Sequence, residues 1–159
     1  MKSPGVSDKT SKKKKITRPV IISIDLIPVM ALYKGYVKQL DANQRSRVRA
    51  MVNIDCVGMT DTKVWVQRAD KRLLNALARV ASSLELPLEA VNIGEIGDTD
   101  SMSFASRRIP VIDIHSITWQ NFERLHEGRD TIDTIQMDDY YGTYKLLSVY
   151  LGYLDITLD

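Results

Sequence analysis

Three polar clusters carry the residue types that could do chemistry: Asn53-Ile54-Asp55-Cys56-Val57-Gly58, Gly97-Asp98-Thr99-Asp100-Ser101 and Leu125-His126-Glu127-Gly128-Arg129-Asp130-Thr131. Each follows an apolar run or precedes a helix. In open α/β sheets, functional groups collect just beyond the carboxyl ends of strands. Carboxylates with a single histidine suit metal ligation or recognition of an amine. The chain has only two histidines, His115 and His126, and one cysteine, Cys56. A histidine-only metal site, a zinc knuckle and a disulfide framework are therefore excluded. Any metal here must lean on carboxylates.

Each cluster also has a plainer explanation. Asp55 can bond the backbone of its own loop. Thr99, Asp100 or Ser101 can cap a short helix, and His126 can be an exposed loop histidine. The Asp98-Thr99-Asp100 run lacks the later Gly and Glu of a calcium-binding EF-hand loop. His115, at the end of an apolar run, reads as a structural histidine pointing away from the site.

The elements that must position these groups alternate between strand and helix patterns. Apolar runs predict strands at Pro19–Leu26, Ala50–Val57 and Val111–Ile114, with a possible short one at Val91–Ile93. In Thr62–Gln67, Val64 and Val66 alternate against Lys63 and Trp65, the pattern of a half-buried strand. Pro28 can open a helix whose face is Val29, Leu32, Tyr36 and Leu40. Ala69–Leu84 is amphipathic through Leu73, Leu77, Val80 and Leu84 and stops before Pro87. Ser101–Arg107 reads as a short helix. Tyr140, Tyr144, Leu147, Leu151 and Leu154 line one face of a final helix over Met137–Asp155. Strands alternating with helices argue an α/β layer with a parallel-rich sheet flanked by helices.

With 159 residues, 44% hydrophobic and 26% charged, the chain has the composition of one soluble globular domain. Collagen, coiled coil and wholesale disorder are excluded. The net charge of +2 hides an asymmetry. Residues 1–18 hold seven basic side chains against Asp8, whereas the remaining 141 hold 15 basic and 19 acidic ones. Residues 1–17 thus read as a disordered basic tail, with nucleic-acid or membrane contact through Lys12–Lys15 as the alternative. The acidic body argues against specific nucleic-acid binding. Pro19–Tyr33 imitates a signal or anchor but is too short to span a membrane and contains Asp25. With no cleavage site after it, the sequence as it stands reads as cytoplasmic.

In order and spacing, Arg49-Ala-Met-Val-Asn-Ile-Asp55-Cys-Val-Gly58, Asp98-Thr-Asp100-Ser-Met-Ser-Phe104, Arg108-Ile-Pro110-Val-Ile and Leu125-His126-Glu-Gly-Arg-Asp130-Thr resemble the C-terminal half of peptidase family M28. This family contains zinc aminopeptidases, often exported, and shares its fold with glutaminyl cyclases. The resemblance runs from about Tyr36 to Asp155 and implies a partial zinc-exopeptidase-like α/β domain over 18–159. It implies that Asp55 ligates one zinc ion and His126 the other, with Asp100 and Asp130 close by. The chain departs from the family where Ser101 replaces a histidine, Arg108 a glycine and Cys56 a common methionine.

The family's upstream H-x-D motif has no counterpart, because no third histidine exists. Its Glu-Glu pair, which supplies a ligand and the general base, falls on Asp25, Leu26 and Ile27. The resemblance therefore implies a zinc aminopeptidase acting on peptide N-termini that is inactive alone: a truncated or degenerate chain with weak or absent zinc. Alternatives are a half-site enzyme completed by a missing N-terminal half or partner chain, a homo-oligomer, or a non-enzymatic domain with a basic binding tail.

Overall fold

The computed structural model describes residues 20–24, 30–92, 99–123, 125, 127–128 and 131–158. Five strands make one sheet: β1 (Val20–Ile24), β2 (Ala50–Ile54), β3 (Lys63–Trp65), β4 (Glu89–Val91) and β5 (Val111–His115). Their spatial order is β1-β2-β5-β3-β4. β1, β2 and β5 run parallel, whereas β3 is antiparallel to β5 and parallel to β4. The helices are α1 (Met30–Gln39), α2 (Ala42–Arg47), α3 (Lys71–Ser83), α4 (Ser101–Ala105), α5 (Trp119–Phe122) and α6 (Met137–Thr157). This mixed, mostly parallel sheet flanked by helices is the α/β architecture the alternation predicts. No described helix is long and apolar enough to cross a membrane. The basic tail and Asp25–Ile27 lie outside the described residues.

The larger core lies between the sheet and the pair α3 and α6. Ala50, Val52, Ile54, Val64, Ile112 and Ile114 point into it and meet Leu73, Leu77, Leu146 and Tyr150. The opposite face is thinner: Met51 and Val111 pack against Val37 of α1, Phe104 of α4 and Ile109. Asp70 opens α3 by accepting hydrogen bonds from the backbone N–H groups of Arg72 and Leu73, satisfying donors that have no partner inside the helix. Arg49 fastens the start of β2 to the end of α6, donating to the Leu158 carbonyl and, at 3.1 Å, to the Asp155 carboxylate.

Several boundaries and faces differ from the sequence expectation. β2 stops at Ile54 rather than Val57 because Cys56 turns the chain at φ +48°, outside the extended region. β4 covers Glu89–Val91 instead of Val91–Ile93. Lys63 and Trp65 are buried like Val64, since both faces of this inner strand are covered. Val37 of α1 and Leu40 just after it are buried, while Tyr36 is 48% exposed.

In α6 the buried set is Thr143, Leu146, Leu147, Tyr150 and Leu154, whereas Tyr140 and Tyr144 face outward. That helix is apolar around much of its circumference, so spacing alone cannot choose its inner face. Tertiary hydrogen bonds choose it: Tyr150 Oη donates to the Leu73 carbonyl at 3.1 Å, and Thr143 pairs with Thr62 at 2.7 Å. α2 has no buried residue and hence no apolar period; its sequence signal is the Asp41/Gln44 capping box.

Candidate functional site

Strand alternation decides which side chains share a face. Ala50, Val52 and Ile54 enter the larger core, so Met51 and Asn53 point to the thinner side. Ile112 and Ile114 likewise send Val111, Asp113 and His115 that way. Asn53 pairs in register with Asp113, and Lys63 with His115. The thinner side is thus apolar where the parallel strands β2 and β5 begin and polar where they end. Asp55 stands one residue past the end of β2, half-buried.

The turn that carries Asp55 is tightly held. Cys56 Sγ donates to the Asp55 carboxylate at 2.9 Å. The Cys56 carbonyl accepts from the backbone N–H of Ser116 at 3.1 Å and from its hydroxyl at 2.8 Å, tying the ends of β2 and β5 together. That same hydroxyl accepts from the Met59 N–H at 3.2 Å. Gly58 sits at φ +87°, where a Cβ would lie 3.0 Å from Tyr140 Cβ, and its carbonyl accepts from the Gln136 N–H at 2.7 Å. Only glycine fits both the backbone angle and the gap.

Asp100 is buried at the start of α4, and its side chain makes no capping hydrogen bond. The neighbouring Ser101 donates at 2.8 Å to Asp113, and its hydroxyl is 2.8 Å from that of Thr99. Burial raises the pKa of the Asp113 carboxyl, and the side chains of Thr99, Ser101 and Asn53 with the charge of Arg68 oppose that rise. Arg68 stacks over the Trp65 ring at 4.2 Å and reaches Met102 Sδ at 2.9 Å, so it bridges β3 and α4.

His115 is buried, and its Nδ1 accepts from the Ile117 N–H at 3.0 Å. Burial, with the nearby Lys63 ammonium, lowers its pKa to about 4 against an opposing pull from Glu89. It is therefore neutral at physiological pH. With Nδ1 acting as an acceptor, the ring proton resides on Nε2. Such a tautomer has no lone pair free for a metal.

The structure places Asp55 beyond β2 and Asp100 at the head of α4, which packs against β2 and β5. His126 and Asp130 lie outside the described residues. Among the described residues no group of three or more His, Cys, Asp or Glu could hold a metal ion. On their own, the described residues do not form a zinc site. Asp113 and Trp65 escaped the sequence reading as site residues, and Asn53 was named only as part of the first cluster, with no role. The signal for Asn53 and Asp113 was the period-two spacing Met51-Asn53-Asp55 and Val111-Asp113-His115, hidden within strands that read as apolar.

The profile of peptidase family M28 matches residues 34–150. Comparison with curated protein sequences gives no match. Among solved structures, the chain is similar to the LapA aminopeptidase of Legionella pneumophila at 20% identity and a TM-score of 0.68, covering 82% of this chain and 37% of that one. A glutaminyl cyclase from an Acidobacteriales bacterium gives 16% identity and a TM-score of 0.66, over 87% of this chain and 50% of that one. A zinc aminopeptidase from Bacillus subtilis gives 16% and 0.61, over 77% and 32%. The chain spans between a third and a half of the length of these structural relatives. The fold and the matched profile agree: the chain belongs to peptidase family M28.

Proposed function

We propose that this chain is a peptidase-like domain of the zinc-aminopeptidase type that contributes Asp55, Asp100 and His126 to a site for peptide N-termini and does not hydrolyse them alone. Asp130 supports His126 in this reading. Zinc, when bound, would polarise the scissile carbonyl and activate water. Asp55 and His126 are the ligands this chain offers.

The observation that carries the reading is the state of His115. Of two histidines, it is committed through Nδ1 to the Ile117 N–H, which leaves His126 as the imidazole available to a metal. A productive zinc site needs about three protein ligands and an open position. These 159 residues contain no Glu-Glu pair, and a missing general base forfeits about 10²–10⁴ in rate.

Purified protein is expected to bind zinc weakly and to release no product from a leucyl chromogenic amide with zinc added. Turnover that vanishes in His126→Ala and returns with zinc would overturn the reading. A second reading, in which another chain completes the site, is favoured by the position of β1. It is an apolar strand at the edge of the described sheet with Ile22 43% exposed, a surface suited to pairing. That reading expects turnover only when the complementing chain is added.

A further inference from the structure

The parallel strands β1, β2 and β5 all begin at one end of the sheet, with Val20 beside Ala50 and Met51 beside Val111. The segments that lead into them are basic. Residues 1–18 carry seven basic side chains against Asp8 and join the sheet at β1. Arg45 and Arg47 lead into β2 from α2, and Arg107 and Arg108 lead into β5. The last turn of α1, which runs back to this end, adds Lys38. The acids gather at the other end, where Asp55 and Asp61 follow β2 and Asp138 and Asp139 open α6 beside Gly58. The acidic balance of residues 19–159 therefore hides a second asymmetry.

Packing draws the basic segments onto one surface. Val48 and Ile109 join the thinner core with Val37, Met51 and Phe104, so Arg47 and Arg108, each one residue ahead, flank a single apolar cluster. The Met51 N–H donates to the Pro110 carbonyl at 2.8 Å, which holds the two lead-in segments side by side. Lys38, Arg47, Arg107 and Arg108 are exposed. Acids at this end are already engaged: Asp41 caps α2, Asp70 pairs with Arg72 and Asp155 with Arg49. Arg108 stands at φ +61°, a left-handed conformation that favours glycine, and so presents its charge at a steric cost. Tyr36 adds an aromatic ring to the surface. It is 48% exposed, and its ring centre lies 6.4 Å from that of Phe104, whose carbonyl accepts from the Arg107 N–H at 2.9 Å.

We propose that this end of the sheet binds single-stranded nucleic acid, with Lys38, Arg47, Arg107 and Arg108 on phosphates and Tyr36 stacked on a base. Guanidinium groups suit phosphate because their fixed N–H fork meets two oxygens at once. A single strand adds bases that stack on an exposed ring. An anionic membrane fits less well: a helix that lies in its surface inserts large apolar side chains, and neither Ala42–Arg47 nor 105–108 carries one. Phosphate contacts of this kind do not read sequence. The surface lies at the opposite end of β2 from Asp55, so it is independent of the peptidase reading.

The test uses the full chain and fluorescein-labelled fifteen-nucleotide oligo-dT and oligo-rU, followed by anisotropy. Four phosphate contacts on a single strand should make affinity fall at least about 50-fold between 50 and 200 mM potassium chloride. Arg47→Gln with Arg107→Gln should reduce that salt effect about sevenfold and weaken binding at 100 mM salt about tenfold. Arg79→Gln with Lys145→Gln removes the same charge from exposed positions on α3 and α6 and should leave binding unchanged. Arg108→Gly should bind more weakly yet melt no lower than wild type. Tyr36→Ala should weaken single-strand binding about fivefold or more, Tyr36→Phe should restore it, and a duplex of equal length should not distinguish the two.

Tighter binding of one probe assigns the strand as DNA or RNA. Binding of neither, or equal losses in the two double variants, would overturn the proposal. So would wild-type affinity in Arg47→Gln with Arg107→Gln, which would assign the binding to residues 1–18 alone. Single-strand binding that ignores Tyr36→Ala, or tighter binding to phosphatidylserine vesicles than to either oligonucleotide, would overturn it as well.

Discussion

Replacing Asp113 by Asn should stabilise the protein at neutral pH. The side chain is 2% exposed. Its Oδ2 accepts from Ser101 at 2.8 Å, whereas its Oδ1 has no partner and Asn53 Oδ1, on its register neighbour, is equally unmet. The amide introduced by Asp113→Asn would be neutral and would bring an N–H donor to this pair of acceptors. Relieving one unsatisfied buried group is worth about 1–3 kcal/mol, or roughly 2–12 °C in Tm for a chain of this size.

The pH dependence follows from linkage. A carboxyl whose pKa is raised by burial holds its proton more tightly folded than unfolded, so its contribution to stability falls as pH rises. Below the unfolded value the wild-type side chain is neutral in both states and the advantage of the amide disappears. Thermal unfolding of wild type and Asp113→Asn, followed by circular dichroism from pH 7.5 down to pH 4, should show a gap that narrows with acidity. The comparison cancels other titrating groups. A variant that melts below wild type at pH 7.5, or a gap that does not shrink, would refute this account of the buried network.

His115 should act in the opposite direction. Its pKa is lowered to about 4, so its stability contribution is complete above about pH 6.5 and is lost as pH falls toward 4. The loss is about 3 kcal/mol, and urea titrations across that range should show it in wild type and not in His115→Phe. Gly58→Ala combines φ +87° with a Cβ 3.0 Å from Tyr140 Cβ. It should lower the urea midpoint by an amount equivalent to about 1–3 kcal/mol. Tyr150→Phe removes the hydroxyl that donates to the Leu73 carbonyl, at an expected cost of about 0.5–1.5 kcal/mol in the same assay.

The class of fold is legible in the residues because the information that sets it is local. Period-two and period-3.6 apolar spacing, Pro87 after a helix and Gly58 after a strand each depend on near neighbours, and the order of polar clusters at strand ends carried the family resemblance. The short elements that were read, β4 and α4, lie within a few residues of their expected places, whereas α2 and α5 carry no apolar period and were not read. The tertiary structure decided which face each ambiguous element buries. In α6, contacts from Leu73 and Thr62 turned Thr143, Leu146 and Tyr150 inward and left the expected Tyr140 and Tyr144 outside. In β3, cover on both faces buried Lys63 and Trp65, which alternation had assigned to solvent. The row joining Asn53, Asp113, His115 and Trp65 exists only through the pairing of β2, β5 and β3. A strand's own residues set its alternation, but the register that brings side chains from three strands together is set by packing between segments up to about sixty residues apart. No local pattern records that pairing.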